Sequence, residues 1–447
     1  MQQSGTTYEP ITRHNVEILP QFQALRPELR QHIMVVSTVF PFRTNRYVVD
    51  HLIDWNRFPD DPLYQLTFPQ RGMLSDADYS AILVLLRSDA PLAEIKAAVT
   101  AIRLKHNPHP AGQMTYNVTK LNGEPVPGLQ HKYAETVLFF PSRGQTCHAY
   151  CSYCFRWAQF IGEQDLKFAA RDADGLVAYL RQHPEVSDVL FTGGDPAIMN
   201  TRAMREYIEP LLAPDLEHVH TIRIGTKAVA YWPQRFVTDP DADDLLRLFE
   251  QIIQAGRHVA IMGHFSHTRE ISTPIAQEAI RRLRDAGCEI RMQAPIIRHV
   301  NDSPQVWANL WRRGVRLGMV PYYMFVSRDT GPKNYFEVSL AESLRIFRKA
   351  YSQVSGLGRT VRGPVMSATP GKVLVNSMTH VKSEPVFVLS FLQGRNPEWV
   401  GRPFFARYDA EAAWLFDLEP AFGAADFFFD PDAEYSQVTG RKDVVIG

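Results

Sequence analysis

Short apolar runs alternate with amphipathic stretches through the middle of the chain. The runs that predict β-strands are VLFF (137–140), DVLFTG (188–193), TIRIGT (221–226), HVAIMGHF (258–265), EIRMQAPII (289–297) and VPYYMF (320–325). Helical patterns separate them at 172–183, 201–213, 242–256, 273–286 and 303–317. Strands that alternate with helices are typical of βαβ units and a parallel sheet. The pattern therefore predicts an α/β fold whose six parallel strands form a partial (β/α)6 barrel.

Segments of different character flank the predicted barrel. The length of 447 residues permits one large domain with appendages, or two to three domains. We expect a mainly helical N-terminal region over 1–136, the barrel over 137–330, and a C-terminal segment over 331–447. Aromatic, strand-like stretches in that last segment, VFVLSFL and RPFFARYD, predict a β-containing extension that forms an additional layer or a lid.

The charge balance and the lengths of the apolar runs indicate which classes of partner are not expected. The 48 Lys and Arg residues balance the 48 Asp and Glu residues, so neither a nucleic-acid footprint nor an electrostatic membrane anchor is indicated. Purely apolar runs such as VFVL are far shorter than the roughly 20 residues that span a bilayer. With few cysteines and no recognisable secretory signal, we expect a soluble cytoplasmic protein that acts on a small molecule.

Three of the four cysteines lie close together in the run TCHAYCSYCFRW. Cys147, Cys151 and Cys154 have the spacing C-x3-C-x2-C and offer three thiolates. A 4Fe-4S cluster takes one thiolate per iron, so this set would leave one iron open to a ligand from outside the protein. The run is similar to the signature of the radical S-adenosylmethionine enzymes, in which that open iron binds S-adenosylmethionine.

Two other interpretations of the clustered cysteines stay open. Zinc prefers a closed set of four ligands, but the chain has a single C-x2-C pair, and recruiting His148 would strain a short loop. Disulfides need an oxidising compartment, which so sparse a cysteine content does not indicate. A motif this dense is more typical of metal binding or catalysis. The remaining cysteine, Cys288, lies far downstream and is interpreted as a buried apolar thiol.

A glycine-rich stretch follows the second predicted strand, in the run TGGDP. Such glycines let the backbone approach a ligand closely, whereas an isolated GGDP at a strand end is usually a turn. Its position one strand after the cysteine loop favours a binding function. In radical S-adenosylmethionine enzymes a Gly-Gly-acidic stretch at this place receives the ammonium of the methionine moiety, and Gly193, Gly194 and Asp195 are its counterparts here.

Polar residues also end the next two predicted strands. The runs RIGT and GHFSH place Arg223, His264 and His267 where their side chains can face one cavity, because the loops at the carboxyl ends of parallel strands form the active sites of barrels. For each of the three, a purely structural hydrogen-bonding role is an equally good interpretation.

A series of motifs follows the order found in the lysine 2,3-aminomutase family, which this chain resembles over roughly residues 50–375. They are FPDDPLYQLTFPQRGML, PVPGLQHKY, the cysteine run, FTGGDP, RIGT, PQRF, HFSH, RHVND and VPYY. The set is far more specific than any single motif. The resemblance implies that a 4Fe-4S cluster and S-adenosylmethionine act together with pyridoxal 5'-phosphate.

The resemblance places the pyridoxal phosphate beside a loop beyond the last barrel strand. This cofactor needs a lysine, and the run SATPGKV makes Lys372 the catalytic candidate. Judged by itself, Lys372 would be a surface lysine beside a turn. Lys132 in QHKY matches a family arginine near the cofactor phosphate. The next basic residue of the family, four positions on, is Thr136 here, so phosphate binding is only partly preserved.

The substrate-binding residues implied by the resemblance are altered too. Arg156 matches the family arginine that holds the substrate carboxylate, a task suited to a bidentate guanidinium. Asp302 matches an acidic residue that holds the distal ammonium of lysine, although it is equally suited to cap a helix. The second acid is missing, and Arg362 and Ser367 are the polar residues nearby. Since one carboxylate compensates a buried ammonium poorly, we expect a substrate other than free lysine.

The sequence thus predicts a radical S-adenosylmethionine, pyridoxal-phosphate-dependent amino-acid 2,3-aminomutase-like enzyme. The resemblance implies that a 5'-deoxyadenosyl radical removes hydrogen from the β-carbon and that the amino group migrates from C2 to C3. It also implies a low-potential electron donor, and it leaves a homo-oligomer open. One alternative is a family member that acts on another amine or on a protein-bound lysine, with altered use of pyridoxal phosphate. A distant one is a non-enzymatic electron carrier, which would need a fourth cysteine ligand, or a zinc module.

Overall fold

The computed structural model describes residues 7–107, 117–161 and 168–429. In its main sheet of 12 strands, the spatial order follows the chain order from β3 to β14, and β1 and β2 form a separate pair. The strands are β1 (Pro10–Thr12), β2 (Arg43–Asn45), β3 (Val118–Leu121), β4 (Glu124–Tyr133), β5 (Thr136–Phe139), β6 (Asp188–Phe191), β7 (Thr221–Thr226), β8 (His258–His264), β9 (Glu289–Ile296), β10 (Val320–Val326), β11 (Arg362–Ser367), β12 (Gly371–Val381), β13 (Glu384–Gly394) and β14 (Pro403–Arg407).

Helices occupy the N-terminal region and the connections between the parallel strands. In the described ranges they are α1 (Pro20–Gln23), α2 (Pro27–Val39), α3 (Pro62–Thr67), α4 (Asp76–Arg87), α5 (Leu92–His106), α6 (Asp174–Gln182), α7 (Thr201–Ile208), α8 (Ala228–Tyr231), α9 (Ala242–Gln254), α10 (Pro274–Asp285), α11 (Pro304–Arg316), α12 (Lys333–Phe336) and α13 (Leu340–Tyr351). None of these helices is both long and apolar enough to cross a membrane.

The predicted α/β fold is confirmed. Strands β5 to β10 correspond to the six predicted strands, and each pairs in parallel with the next. The five predicted helices are present as α6, α7, α9, α10 and α11. Of these, α7 is clearly shorter than predicted and continues as a 3-10 turn over Glu209–Leu212. Pro210 explains this, because it lacks the N–H that would continue the α-helical ladder.

The sheet extends beyond the six predicted strands at both edges. A seventh parallel strand, β11, follows α13 and pairs with β10. The strands β12 to β14 continue the same sheet as antiparallel neighbours, so the predicted C-terminal β-structure is present but is not a separate layer. At the other edge, the hairpin of β3 and β4 pairs with β5, so helices alone do not make up the region before residue 136.

Two observations show that the sheet is curved. Asp188 in β6 and Arg362 in β11 line one cavity, although they are five strands apart and about 24 Å would separate them in a flat sheet. The Lys132 ammonium at the end of β4 donates to the carbonyl oxygen of Ala368 in the β11–β12 turn. The parallel strands therefore form a partial barrel, and this contact bridges the gap between its two edges.

Alternation along the strands divides the barrel into an apolar outside and a polar inside. In β9, the buried residues are Ile290, Met292, Ala294 and Ile296, while the residues between them are partly exposed. Of the latter, Arg291 lines the interior cavity. The apolar side packs under the helices, as in other parallel sheets covered by crossover connections. The interior is left with charged side chains whose placement determines the chemistry of the site.

Candidate active site

The three clustered cysteines lie in the loop that follows β5, at the carboxyl end of the parallel strands. All three are free thiols. Burial raises their pKa values, that of Cys154 to about 12, and neighbouring cysteines further disfavour the thiolates of Cys147 and Cys154. Three partly buried thiolates in one loop need a positively charged partner, and a bound metal centre deprotonates its thiols outright. The loop therefore fits a metal cluster better than it fits free thiols.

A single metal ion has no such site in the parts of the chain that are described. There, no three His, Cys, Asp or Glu side chains converge to hold one ion. His148, the candidate fourth zinc ligand, is packed between the rings of Tyr8 and Trp232, and burial lowers its pKa to about 3. The thiolates of a 4Fe-4S cluster bind different irons, so they do not have to converge on one point.

The glycines of the TGGDP stretch pack directly against the cysteine loop. A Cβ atom on Gly194 would lie 2.4 Å from the backbone nitrogen of Thr146. Gly193 has φ +139°, and a Cβ atom there would lie 2.1 Å from Nε2 of Gln145. Only glycine permits this approach. The motif is thus next to the cysteines, as the sequence predicts, and it fixes the position of their loop.

Asp195 forms hydrogen bonds within the protein. Its Oδ1 accepts from Ala197 N at 2.9 Å and from Thr226 Oγ1 at 2.7 Å, and its Oδ2 accepts from Lys227 N at 2.8 Å. Burial nevertheless raises the pKa of this carboxyl to about 6. Because both oxygens already bind donors, we expect the backbone oxygens of the motif, more than the Asp195 side chain, to receive an ammonium group.

A buried ion pair lies beside the cysteine loop that the sequence analysis did not identify. Lys227 Nζ is 2.6 Å from Oε1 of Glu270, and their side chains are 8% and 0% exposed. Oε2 of Glu270 accepts from the backbone N–H groups of Ser266 at 2.5 Å and His267 at 3.0 Å. Lys227 also lowers the pKa of Cys151. Lys227 directly follows the RIGT run, but nothing in the sequence indicates its burial.

The two predicted histidines belong to this neighbourhood. The Tyr153 hydroxyl and Nε2 of His264 are 2.7 Å apart, and burial holds the pKa of His264 well below its usual value, so the ring is neutral. Nδ1 of His267 accepts from Arg269 N at 3.2 Å and caps a 3-10 turn. For His267 this favours the structural interpretation. His264 thus contacts the cysteine loop through the side chain of Tyr153, the residue that directly precedes Cys154.

Replacing Glu270 with glutamine is expected to lower the free energy of unfolding by about 3–5 kcal/mol, because the buried Lys227 ammonium loses its counter-charge. Urea denaturation of the purified protein measures this. The matched control is Glu278→Gln in the exposed pair with Arg281, 2.5 Å apart, where about 0–1 kcal/mol is expected. A Glu270→Gln variant as stable as the control variant would show that the pair does not stabilise the site.

Two arginines lie together next to the cysteine loop. Arg156 follows Cys154 by two residues, and Arg328 comes from the loop after β10. In each, Nε is buried and has no hydrogen-bond partner in the described part of the chain. The pKa of Arg156 is lowered to about 10, mainly by burial and further by Arg328. Among the described residues neither forms an ion pair; Arg156 stacks 4.3 Å from the ring centre of Phe140. Two partly buried guanidinium groups without an ion-pair partner among the described residues are suited to bind an anion.

Lys372 lies at the gap between the edges of the barrel. Its Nζ donates to Oε1 of Gln393 at 2.6 Å and is 5.3 Å and 5.0 Å from the ring centres of Tyr133 and Tyr323. Burial, with additional effects of Arg223 and Arg362, lowers its pKa to about 7. An amine with this pKa is largely neutral at slightly alkaline pH and hence nucleophilic.

The other predicted residues divide between the cavity and the surface. Arg223 pairs with Asp188 at 2.7 Å and reaches Thr136 Oγ1 at 3.5 Å. Arg362 lies over the ring of Tyr322, 4.9 Å from its centre, and lines the same cavity as Arg223. Ser367 is paired in register with Lys372. Asp302, in contrast, is exposed, and its carboxylate accepts from His299 N at 3.1 Å.

The structure thus brings Arg156 next to the cysteines and Arg223, Arg362 and Ser367 near Lys372. It does not place Asp302 among the residues that line the cavity. Arg328, Arg291 and the Lys227–Glu270 pair could not be predicted from the sequence. A charged residue at a strand end is a weak indication of a site, and the partners of these residues come from distant parts of the chain.

Comparisons with known proteins point to one family. No family model matches the chain. A protein of Aquifex aeolicus named "Putative L-lysine 2,3-aminomutase" is 29% identical over 391 residues, which are 87% of this chain and 91% of that protein. The L-lysine 2,3-aminomutase of Bacillus subtilis is 29% identical over 272 residues, 58% of this chain and 55% of its own. That of Fusobacterium nucleatum is 30% identical over 232 residues, 52% and 51% of the two chains. The chain spans about half the length of the latter two.

Solved structures are similar only at a distance. A radical SAM methyltransferase from Sphaerobacter thermophilus has a TM-score of 0.37 and 15% identity, covering 65% of this chain and 94% of that one. SuiB from Streptococcus suis, bound to S-adenosylmethionine, has a TM-score of 0.35 and 13% identity, covering 61% and 56%. Likenesses this remote carry no argument about the site.

Proposed function

Since this chain is a divergent member of the L-lysine 2,3-aminomutase family of radical S-adenosylmethionine enzymes, we propose that it catalyses a 1,2-amino migration on an amino acid other than free lysine. In this proposal Cys147, Cys151 and Cys154 hold a 4Fe-4S cluster, and Lys372 binds pyridoxal 5'-phosphate. A low-potential electron donor reduces the cluster. The alternative use of another amine has no observation in its favour.

One observation carries the proposal: a lysine with a pKa near 7 faces a tyrosine that lies within electrostatic reach of the same arginine as Arg156 of the cysteine loop. Lys372 faces the ring of Tyr133. Arg328 acts electrostatically on Tyr133, whose pKa burial raises, and on Arg156, whose pKa burial lowers and which is two residues beyond Cys154. The residues needed for the cluster, for the carboxylate and for the cofactor are therefore neighbours in one interior.

The residues around Lys372 fit pyridoxal phosphate. The hydroxyl of Tyr133 is buried and has no hydrogen-bond partner among the residues that the structure describes, which leaves it available to a bound group. Cationic side chains near Lys372, including Arg223 and Arg362, suit a phosphate. When bound, the cluster would supply the reductive cleavage of S-adenosylmethionine, and pyridoxal phosphate would carry the migrating amino group.

The protein's own residues bind, orient and exclude water. Arg156 and Arg328 would bind carboxylate oxygens of the substrate beside the cysteine loop. These oxygens would take the place of the acidic side chains that neither arginine has as a partner among the described residues. Arg328 lies over the rings of Phe155 and Trp414, 5.5 Å and 5.8 Å from their centres, so aromatic packing restricts its position. Holding the substrate in one orientation directs a reactive radical to a single C–H bond, and the aromatic side chains limit access of water.

The same charges argue against free lysine. With Arg156 on the α-carboxylate, a distal ammonium that reached Arg328 would meet a guanidinium group that forms no ion pair among the described residues, and the one acidic residue expected to bind it, Asp302, is exposed and accepts from a loop backbone N–H. In a substrate with a second carboxylate, this distal group would instead pair with a guanidinium group. A site built for the wrong polar group discriminates by roughly 10²- to 10⁴-fold in kcat/KM, because an unpaired buried charge costs several kcal/mol.

The test is a competition between substrates under anaerobic conditions, with cluster, reductant, S-adenosylmethionine and pyridoxal phosphate supplied. Formation of β-amino acids from glutamate, from neutral amino acids and from lysine is followed by chromatography. We expect the acidic or neutral substrates to have specificity constants at least about 100-fold above that of lysine. Turnover of lysine above all others would refute the substrate assignment, and no β-amino acid from any substrate would refute the proposed reaction.

A further inference from the structure

A second charged region lies at the end of the barrel opposite the cysteines. A cavity of about 270 Å³ is lined there by Asp188, Thr221, Arg223, His258, Ala260, Met262, Arg291, Tyr322 and Arg362. Three of these, Asp188, Thr221 and His258, are the first residues of β6, β7 and β8. The cavity therefore belongs to the amino-terminal half of the parallel strands, whereas the cysteine loop follows a carboxyl end.

Positive charge is in excess in this cavity. Arg223 is paired with Asp188 at 2.7 Å, and Arg291 with Glu289 at 2.6 Å. Glu289 is shared, because His258 Nε2 lies 3.2 Å from its other oxygen. Arg362 contacts the rings of two tyrosines and, among the described residues, has no carboxylate partner. Three guanidinium groups with two carboxylates leave one positive charge in excess, which favours an anionic ligand such as a phosphate group.

The cavity is within electrostatic reach of Lys372. The charged groups that change the pKa of its ammonium are Arg223, Arg362 and Asp188, and all three line the cavity. Thr136, the position where the family has a basic residue for phosphate, accepts from Arg223 at 3.5 Å. The guanidinium group of Arg223 in β7 thus reaches Thr136, the position in β5 where the family has a basic residue.

A phosphate could instead bind in the barrel gap around Lys132. The cations there, however, already donate hydrogen bonds to backbone carbonyl oxygens. Lys132 donates to the carbonyl oxygen of Ala368. Arg395 Nε donates to that of Thr369 at 2.9 Å. Both cations hold the β11–β12 turn against its neighbours, and releasing them to a ligand would open this contact between the sheet edges.

We propose that the cavity of Arg223, Arg291 and Arg362 is a phosphate-monoester site and that its occupant is the phosphate group of pyridoxal phosphate. This rests on the proposed function, in which Lys372 binds that cofactor. It changes the predicted role of Arg362 from substrate pocket to cofactor phosphate. It also assigns Lys132 mainly to the barrel gap.

The test compares pyridoxal phosphate with pyridoxal, which lacks the phosphate. Affinities are measured from the absorbance of the protein-bound aldehyde in wild type, Arg362→Met, Arg291→Met and Lys132→Met. We expect Arg362→Met and Arg291→Met to weaken pyridoxal phosphate binding about 10- to 100-fold, as loss of a charge-assisted phosphate contact does. Pyridoxal binding should be weakened much less than pyridoxal phosphate binding, because pyridoxal has no phosphate and is affected only through the pKa of Lys372. Arg345→Met, which removes an exposed arginine paired with Glu342 at 2.5 Å, is the matched control and should match wild type.

Equal losses for the two aldehydes, or a larger loss in Lys132→Met than in Arg362→Met, would overturn the assignment. Unfolding midpoints of the variants separate these results from misfolding. If wild type binds neither aldehyde, the pyridoxal part of the proposed function fails. Calorimetric titration with inorganic phosphate then decides the site independently: binding by wild type that is lost in Arg362→Met supports a phosphate site, and no binding by wild type refutes it.

Discussion

Replacing Cys151 with alanine is expected to abolish cluster assembly and, with it, the reductive cleavage of S-adenosylmethionine. The thiol lies in the loop after β5 with Cys147 and Cys154, and no other cysteine of the chain is in this loop. A cluster with two thiolates would have two irons without a protein ligand. We expect about four irons and four sulfides per wild-type chain after anaerobic reconstitution and essentially none retained by the variant.

The matched control is Cys288→Ala. This thiol is buried, 4% exposed, and burial raises its pKa to about 12, so it is an apolar core group. Its loss should cost about 1 kcal/mol of stability and leave iron content and 5'-deoxyadenosine formation unchanged. A full cluster in Cys151→Ala, or a lost cluster in Cys288→Ala, would show that the cysteine assignment is wrong.

Replacing Lys372 with alanine is expected to eliminate covalent attachment of pyridoxal phosphate. Incubation with the cofactor followed by borohydride should label wild type on the peptide that contains Lys372, and mass spectrometry should find no label in the variant. Lys349→Ala, on the exposed side of α13, is the control and should retain the label. Label on Lys333 or Lys382 in wild type would contradict the assignment.

The pH dependence of labelling separates Lys372 from an ordinary lysine. Burial and Arg223 lower its pKa to about 7, so the neutral, nucleophilic amine increases as pH rises through 7 and is nearly complete above about 8. At pH 7.5 an ordinary lysine is neutral in only about one molecule in a thousand. Labelling of Lys372 should therefore level off near pH 8, whereas a rise that continues to pH 10 would indicate an unperturbed amine.

The parallel strands could be predicted because each is a continuous apolar run between helical patterns. Strand β11 could not, since Gly363 and Pro364 interrupt its pattern with residues typical of turns. The extent of the sheet depends on how the C-terminal hairpin strands pair, and that is a tertiary property. Sequence patterns indicate that those strands exist but do not indicate which edge they join.

For the site, the sequence identified residues that belong to motifs and missed residues that act through distant neighbours. Cys147, Arg156 and Lys372 stand in recognisable runs. Arg328 can be assigned to the site only because it lies near Arg156 in the folded protein. The two residues are far apart in the sequence, and the fold brings them together. Asp195 shows the opposite case: its motif was recognised, but its carboxylate forms internal hydrogen bonds.

The central claim is that three cysteines and one low-pKa lysine serve a single radical reaction on an amino acid. The most direct test is transfer of deuterium from the β-carbon of a labelled amino-acid substrate into 5'-deoxyadenosine, measured by mass spectrometry in reconstituted, reduced wild-type protein. We expect deuterium in the 5'-deoxyadenosine of wild type and none in that of Lys372→Ala. Cleavage of S-adenosylmethionine without deuterium transfer from any amino acid, or equal transfer in the Lys372→Ala variant, would contradict it.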